Sequence, residues 1–482
     1  MNKRKLHLAT DYYQISMSNV YFCEGMQDLE AVFDVFIRKN PFHGGYTVFA
    51  GLEQVVEYLQ NIRFEQEDIE ILKKHHPELD DKYLEYLRNF KFTGSIDAME
   101  EGSIVFPQEP LLRVRAPLIE AQFIETTILS ILNHQTLIAT KASRVVDAAE
   151  GDAVMEFGLR RAHGTEAGLY GARAAVIGGC IGTSNVEAEN FWQLPAKGTM
   201  AHSFIMSFDS ELEAFRTFAK HNPNNMILLV DTFDTLEGVQ NAITVFKEFE
   251  QEGKLGKKGS YGIRLDSGDL AYLSKEARTM LDEAGFEGAT IVASNDLDEY
   301  LIRDLKLQEA KINTWGVGTK LITAYDNAAL GGVYKLSQIT KNGVDVPVIK
   351  ISDAPEKVTN PGAKTVYRIY DKRNNKAMAD IIALDEETID ETKPYTIFHP
   401  LFTWKRRTLE NFYVKPMHKE IFKNGELVYD MPDLYAAKQR LIDEKETFWP
   451  AVLRLKNPYE YHVDLSQELW NLKNKLMNQE HN

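Results

Sequence analysis

Between residues 152 and 336 short apolar runs recur, and each one stops at a polar cluster. Val154-Met155-Glu156-Phe157 ends in Gly158-Leu159-Arg160-Arg161, and Gly179-Cys180-Ile181 ends in Gly182-Thr183-Ser184-Asn185. Thr199-Met200-Ala201 leads into His202-Ser203, and Met226-Ile227-Leu228-Leu229-Val230 leads into Asp231-Thr232. Tyr261-Gly262-Ile263 precedes Arg264-Leu265-Asp266-Ser267-Gly268-Asp269, and Thr290-Ile291-Val292-Ala293 precedes Ser294-Asn295-Asp296. Asn313-Thr314-Trp315 runs into Gly316-Val317-Gly318-Thr319-Lys320, and Gly332-Val333-Tyr334 closes the series. Stretches at 212–220, 236–251 and 274–284 suit helices between them. Strands alternating with helices at this spacing predict strand-plus-helix units. We therefore expect a (β/α)₈-like barrel over 151–336, a fold that gathers ligands at the C-terminal ends of its strands.

The flanks have a different pattern. Before the barrel, the sequence predicts helices at 11–22, 51–60 and 81–89 and a strand at 31–38. A long helical stretch follows from 117 towards 149, with an interruption around Asn133. After it, 346–351, 365–370 and 377–384 are β-rich, with a turn at Pro361-Gly362. A hairpin about Lys423-Asn424-Gly425 is expected within 411–429, since Asn-Gly favours the two-residue hairpin turn. Helices are expected at 433–447 and 465–478. Residues 1–150 thus read as a mixed α/β region, and the chain after the barrel as β-rich segments followed by helices.

Composition narrows the function classes. The 482 residues hold 71 acids against 55 Lys and Arg, a net charge of −16, which argues against wrapping nucleic acid. Cys23 and Cys180 are the only cysteines, too few for a disulfide framework or a thiolate zinc site. Asn2-Lys3-Arg4-Lys5 lacks the apolar segment of a signal peptide, and no apolar run reaches membrane-spanning length. A cytoplasmic protein, with no membrane partner, is the expectation.

The strand ends carry the candidate chemistry. Arg264 offers a planar fork for phosphate. Asp266 suits sugar hydroxyls or a hydrated metal, and Gly268 lets a ligand approach the backbone. Taken singly, such residues have bland readings too. The 264–269 loop could be a solvated turn, Phe157 and His202 core residues, and Gly316-Val317-Gly318-Thr319 an ordinary turn.

Seven segments together resemble the nicotinate phosphoribosyltransferase family. They are Thr10-Asp11-Tyr12-Tyr13-Gln14, Phe36-Ile37-Arg38-Lys39-Asn40-Pro41-Phe42, Glu156-Phe157-Gly158-Leu159-Arg160-Arg161, Gly182-Thr183-Ser184-Asn185, Gly198-Thr199-Met200-Ala201-His202-Ser203-Phe204, Arg264-Leu265-Asp266-Ser267-Gly268-Asp269 and Gly316-Val317-Gly318-Thr319. The resemblance implies ATP-coupled formation of nicotinate mononucleotide and pyrophosphate from nicotinate and phosphoribosyl pyrophosphate (PRPP), a step of NAD salvage. It implies an irregular (β/α) barrel over 151–336 joined to an N-terminal α/β domain over 1–150 that is completed by about 337–400, with a C-terminal α/β extension over 401–482. It also implies Mg²⁺ and a homodimer whose active sites are shared between subunits.

The same resemblance assigns roles. Phe157 stacks on the pyridine ring, with Tyr13 of the second subunit on the opposite face. Arg160 meets the nicotinate carboxylate or the pyrophosphate. Ser184 stands where nicotinamide-using relatives place an Asp, and its hydroxyl can donate to a carboxylate that an Asp would repel. Arg264 and Asp266 contact the phosphoribosyl group, and Gly316, Gly318 and Thr319 cradle the 5′-phosphate. Asp231 and Asp296 serve the metal shell or brace Arg264, and Arg38 reaches phosphate across the dimer interface. His202 is the residue phosphorylated by ATP. The competing readings are a nicotinamide or quinolinate phosphoribosyltransferase, a barrel lyase or isomerase on sugar phosphates with Lys320 as Schiff-base candidate, and a non-catalytic ligand-binding dimer.

Overall fold

The computed structural model describes residues 6–479, so the Asn2-Lys3-Arg4-Lys5 segment lies outside the described residues. Two compact units emerge, Met1–Leu137 with Ala329–Asn482, and Ile138–Ala328.

In the first unit a seven-stranded sheet runs Val344–Pro347, Gly332–Lys341, Glu30–Ile37, Leu112–Pro117, Ser95–Met99, His418–Lys423 and Glu426–Leu427. A four-stranded sheet sets Phe412–Pro416, Lys364–Asp371, Ala377–Leu384 and Val463–Leu465 side by side. One face of it, with Ile369, Ala379, Ile381 and Phe412, closes on Ile397 and Leu409 to form a buried cluster. The C-terminal segment beyond 401 is thus built into both sheets, where an extension was expected. Its strands take their partners from Ser95–Met99 and Lys364–Asp371, because an isolated hairpin cannot bury enough surface to stand alone. The expected hairpin turn forms at Asn424-Gly425, both with positive φ (50° and 82°), the geometry that Asn-Gly tolerates.

The second unit holds one parallel sheet of six strands. Its order is Gly182–Thr183, Ala153–Glu156, Thr314–Val317, Thr290–Ala293, Tyr261–Leu265 and Met226–Leu229. Helices Thr165–Ile177, Glu211–His221, Thr235–Gln251, Leu270–Glu283 and Glu299–Leu307 lie between strands in the chain. The central strands Thr314–Val317, Thr290–Ala293 and Tyr261–Leu265 are almost wholly buried.

Two of the eight expected barrel strands do not belong to this sheet. Thr199-Met200-Ala201 pairs with no strand, and the Thr199 hydroxyl is engaged by a side chain instead. Gly332–Lys341 pairs antiparallel with Glu30–Ile37, over seven residue pairs, and so joins the first unit. The glycine-led run 179–181 falls just before its strand, which is Gly182–Thr183. The result is a half-barrel, open at Gly182–Thr183 and Met226–Leu229. The long helical stretch also breaks earlier than expected, at Ile124 between Leu118–Phe123 and Glu125–Ala148.

A buried ionic knot ties helices of the second unit together. The Glu299 carboxylate meets Lys141 Nζ at 2.7 Å and Arg144 Nε at 3.0 Å, all three side chains being essentially inaccessible. Removing one partner of such a group costs about 3–5 kcal/mol, since a charge is left buried without its counterpart. Among the described residues no helix is long and apolar enough to cross a membrane.

Candidate active site

The C-terminal ends of the parallel strands carry a connected set of polar side chains. Arg264, near the end of Tyr261–Leu265, donates from Nη1 to Thr199 Oγ1 at 2.6 Å. Its Nε is buried with no hydrogen-bond partner, so the fork is held on one side and open on the other. Burial pulls this guanidinium below its ordinary pKa; Asp266 and Asp231 oppose the shift, and Arg160 adds to it. Arg160 is exposed in the short Leu159–Arg161 turn, close enough for Arg264 to feel its charge. Two guanidinium groups without a fixed carboxylate pair form an anion-seeking corner.

Asp231 and Asp266 are braced differently. Asp231 Oδ2 accepts the Asp266 N–H at 2.8 Å and the Ser267 hydroxyl at 2.7 Å, while its Oδ1 is buried with no partner. Asp266 Oδ1 accepts the Ser294 hydroxyl, and Oδ2 lies 3.7 Å from His202 Nε2. His202 opens the short His202–Ile205 turn and sets its Nδ1 3.1 Å from the Thr232 hydroxyl. Its side chain is 40% exposed, with Nδ1 toward Thr232 and Nε2 toward the Asp266 carboxylate. His202, Asp266 and Asp231 therefore come together, although two of them leave different strand ends and His202 follows the unpaired 199–201 segment.

Phe157 is half-buried beside the turn that follows Ala153–Glu156, and its N–H donates to the Val317 carbonyl at 2.8 Å. A methyl group on Gly316 would fall 2.5 Å from its Cδ2, so Gly316 makes room for the ring. Gly318 and Thr319 follow at the strand end, with Gly318 leading into the Thr319–Ile322 turn. Ser184 is partly exposed, and its N–H donates to the Glu156 carbonyl at 2.9 Å. Burial raises the Glu156 carboxyl above its ordinary range, against the hydrogen bonds from Thr183 and Gly158.

Other expected residues have surroundings of their own. Asp296 is exposed with φ 35°, and its charge is felt by Lys320. Lys320 donates to Asp298 Oδ2 at 2.7 Å. Burial disfavours its charge, but the Asp298 contact outweighs that and raises its pKa, whereas a Schiff-base lysine must be neutral to attack. Tyr13 and Arg38 belong to the first unit. Tyr13 is 46% exposed in the first turn of Tyr12–Cys23, and Arg38 follows Glu30–Ile37 with its Nε buried and without a hydrogen-bond partner.

The Mg²⁺ implied by the resemblance fits the donors present. No group of three or more His, Cys, Asp or Glu forms a metal cage among the described residues. Mg²⁺ usually keeps several waters and binds through one or two carboxylates plus substrate phosphates. The unpartnered Asp231 Oδ1 and the outward Asp266 Oδ2 match that mode.

Sequence reading gave no roles to the hydroxyls that hold this geometry: Thr183, Thr199, Thr232, Ser267 and Ser294. Thr183, Thr199 and Ser267 lie within the seven motifs, and Thr232 and Ser294 in other strand-end clusters, but a hydroxyl's partner is set by packing between strands. Only the density of Ser and Thr at strand ends hinted at them.

Comparison with known proteins agrees across the chain. Residues 8–133 match the nicotinate phosphoribosyltransferase (NAPRTase) N-terminal domain, 153–383 the nicotinate phosphoribosyltransferase (NAPRTase) family, and 363–473 the nicotinate phosphoribosyltransferase C-terminal domain. The chain is 47% identical to nicotinate phosphoribosyltransferase of Bacillus subtilis, over 97% of this chain and 94% of that one. The crystal structure of human nicotinic acid phosphoribosyltransferase is similar, with a TM-score of 0.86 and 28% identity over 97% of this chain and 99% of that one. Nicotinate-nucleotide pyrophosphorylase from Pyrococcus furiosus shares the fold, with a TM-score of 0.70 and 23% identity over 93% of this chain and 97% of that one.

Proposed function

The chain belongs to the nicotinate phosphoribosyltransferase family, and we propose that it makes nicotinate mononucleotide and pyrophosphate from nicotinate and PRPP, with ATP hydrolysis coupled to the transfer. The observation that carries this reading is the cluster of His202, Asp266 and Asp231 beside Arg264 at the strand ends. Those groups suit a ligand with a ribose and two sets of phosphates.

The pyridine nitrogen attacks the anomeric carbon of PRPP as the bond to pyrophosphate breaks. Nicotinate nitrogen is basic enough to need no general base, so the protein's work is positioning and charge stabilisation. Phe157 offers a flat apolar face to the ring. Ser184 donates to the carboxylate, which favours the acid over the amide. Arg264 and Arg160 meet the anionic groups, Asp266 takes the ribose hydroxyls, and Gly318 and Thr319 receive the 5′-phosphate. Mg²⁺, when bound with PRPP, would neutralise charge on the leaving pyrophosphate, with Asp231 and Asp266 holding its waters and Asp296 farther out.

His202 Nε2 attacks the γ-phosphorus of ATP, ADP leaves, and water later releases phosphate from the ring. Thr232 supports this role by engaging Nδ1 and so leaving Nε2 the free nucleophile. The proposal extends to a homodimer in which Tyr13 and Arg38 of a second copy complete each site, and to a cytoplasmic location, where PRPP and ATP are available.

A mass-resolved assay of nicotinate and PRPP, with and without ATP, tests the reading. Nicotinate mononucleotide should accumulate and ADP should appear with it. Turnover of nicotinamide or quinolinate in preference to nicotinate would replace the reading.

A further inference from the structure

We infer that Glu156 and Thr183 are positioning residues that lock the Phe157 turn to the Ser184 loop, and thereby set the width of the pyridine pocket. The inference rests on the proposed roles of Phe157 and Ser184.

Both side chains are fully buried. The Thr183 hydroxyl donates to Glu156 Oε2 at 2.6 Å, and the Gly158 N–H donates to Oε1. The same Thr183 oxygen accepts the Asn185 N–H at 3.0 Å, and the Glu156 carbonyl accepts the Ser184 N–H at 2.9 Å. These bonds form a closed circuit from the residue after Phe157 to the residues on either side of Ser184.

The need for such a lock follows from the sheet. Gly182–Thr183 is a two-residue strand that pairs Met155 with Gly182 and Glu156 with Thr183 on one side, and on the other makes a single bridge from Thr183 to Ala196. So short a ladder cannot by itself fix the loop that follows. A buried carboxylate is costly unless it is hydrogen-bonded, and here both oxygens are satisfied by the elements it joins. Neither oxygen is left for substrate. Its effect therefore passes through Phe157 and Ser184.

Thr183→Val keeps the shape but leaves Glu156 Oε2 and the Asn185 N–H without a partner, whereas Thr183→Ser keeps the hydroxyl. Activity of the unaltered enzyme on nicotinate and PRPP comes first, because its absence would remove the pyridine reading itself. In an active enzyme, Thr183→Val should raise the nicotinate KM at least about tenfold and leave the PRPP KM within about twofold, since misplacing one contact by about 1 Å can cost as much. Thr183→Ser should restore the nicotinate KM. Glu156→Met, which keeps an unbranched side chain but accepts from neither Gly158 nor Thr183, should show the same split if Thr183→Val fails to fold. An unchanged nicotinate KM in either folded variant, or parallel rises in both KM values, would overturn the inference.

Discussion

The ring of Phe157 occupies the space that a side chain at Gly316 would need: a methyl group there would lie 2.5 Å from Cδ2 and 2.7 Å from Cε2. Two strand ends that pair in parallel therefore share one volume, filled by an aromatic from the first because the second has none. Gly316→Ala should tilt or displace the ring. Overpacking of this kind costs about 1–3 kcal/mol, and we expect most of it as a raised nicotinate KM with little change for PRPP. Steady-state kinetics of the variant decide this, and Gly316→Ala with Phe157→Leu should recover part of the lost stability but not the nicotinate KM. A nicotinate KM equal to that of the parent would show that the ring is not fixed by Gly316.

His202→Ala should abolish ATP hydrolysis and ATP stimulation, yet leave slow ATP-independent formation of nicotinate mononucleotide. In the proposed reaction the His202 ring, held at Nδ1 by Thr232, serves the ATP step and makes no contact that the pyridine transfer itself requires. Incubation with γ-labelled ATP, mapping of acid-labile phosphate and a product assay give the readout. Full coupling in a folded His202→Ala protein would remove the role.

Tyr13 should act in trans. Mixing Tyr13→Ala with Phe157→Ala protein under subunit exchange should produce heterodimers with about one intact site in two, the pattern expected of a two-fold interface. Activity should rise on mixing, in proportion to heterodimer measured by native mass spectrometry. No recovery despite demonstrated exchange would argue for sites complete within one chain.

Asp464 gives a stability test with a definite sign. It is 2% exposed on the Val463–Leu465 strand, and burial pushes its carboxyl up to about 7. Between about pH 4, where an unfolded Asp ionises, and pH 7 the folded state holds the extra proton, so this group's contribution to stability falls as pH rises. Asp464→Asn should be more stable than the parent at pH 8 by roughly 1–3 kcal/mol, with the difference closing by pH 4. Denaturant melts at both pH values check this. Equal differences at the two pH values would mean that the carboxyl is solvated.

The seven motifs and their order along the chain were legible without any structure, because each is a local stretch of residues whose chemistry depends on side-chain type. The same holds for the helices 434–447 and 467–479 and for the Asn424-Gly425 turn, where apolar spacing and positive φ act within a few residues. Pairing was not legible. Gly332-Val333-Tyr334 has the same apolar character as a barrel strand, but its backbone hydrogen bonds go antiparallel to Glu30–Ile37, some 300 residues away. Asp231 and Asp266 read from sequence as two separate acids. Only the adjacency of their strands lets one carboxylate take the other's N–H and leaves Oδ1 buried without a partner. Residue type determined which groups could do the chemistry, and the long-range hydrogen bonding of the sheets decided which of them meet.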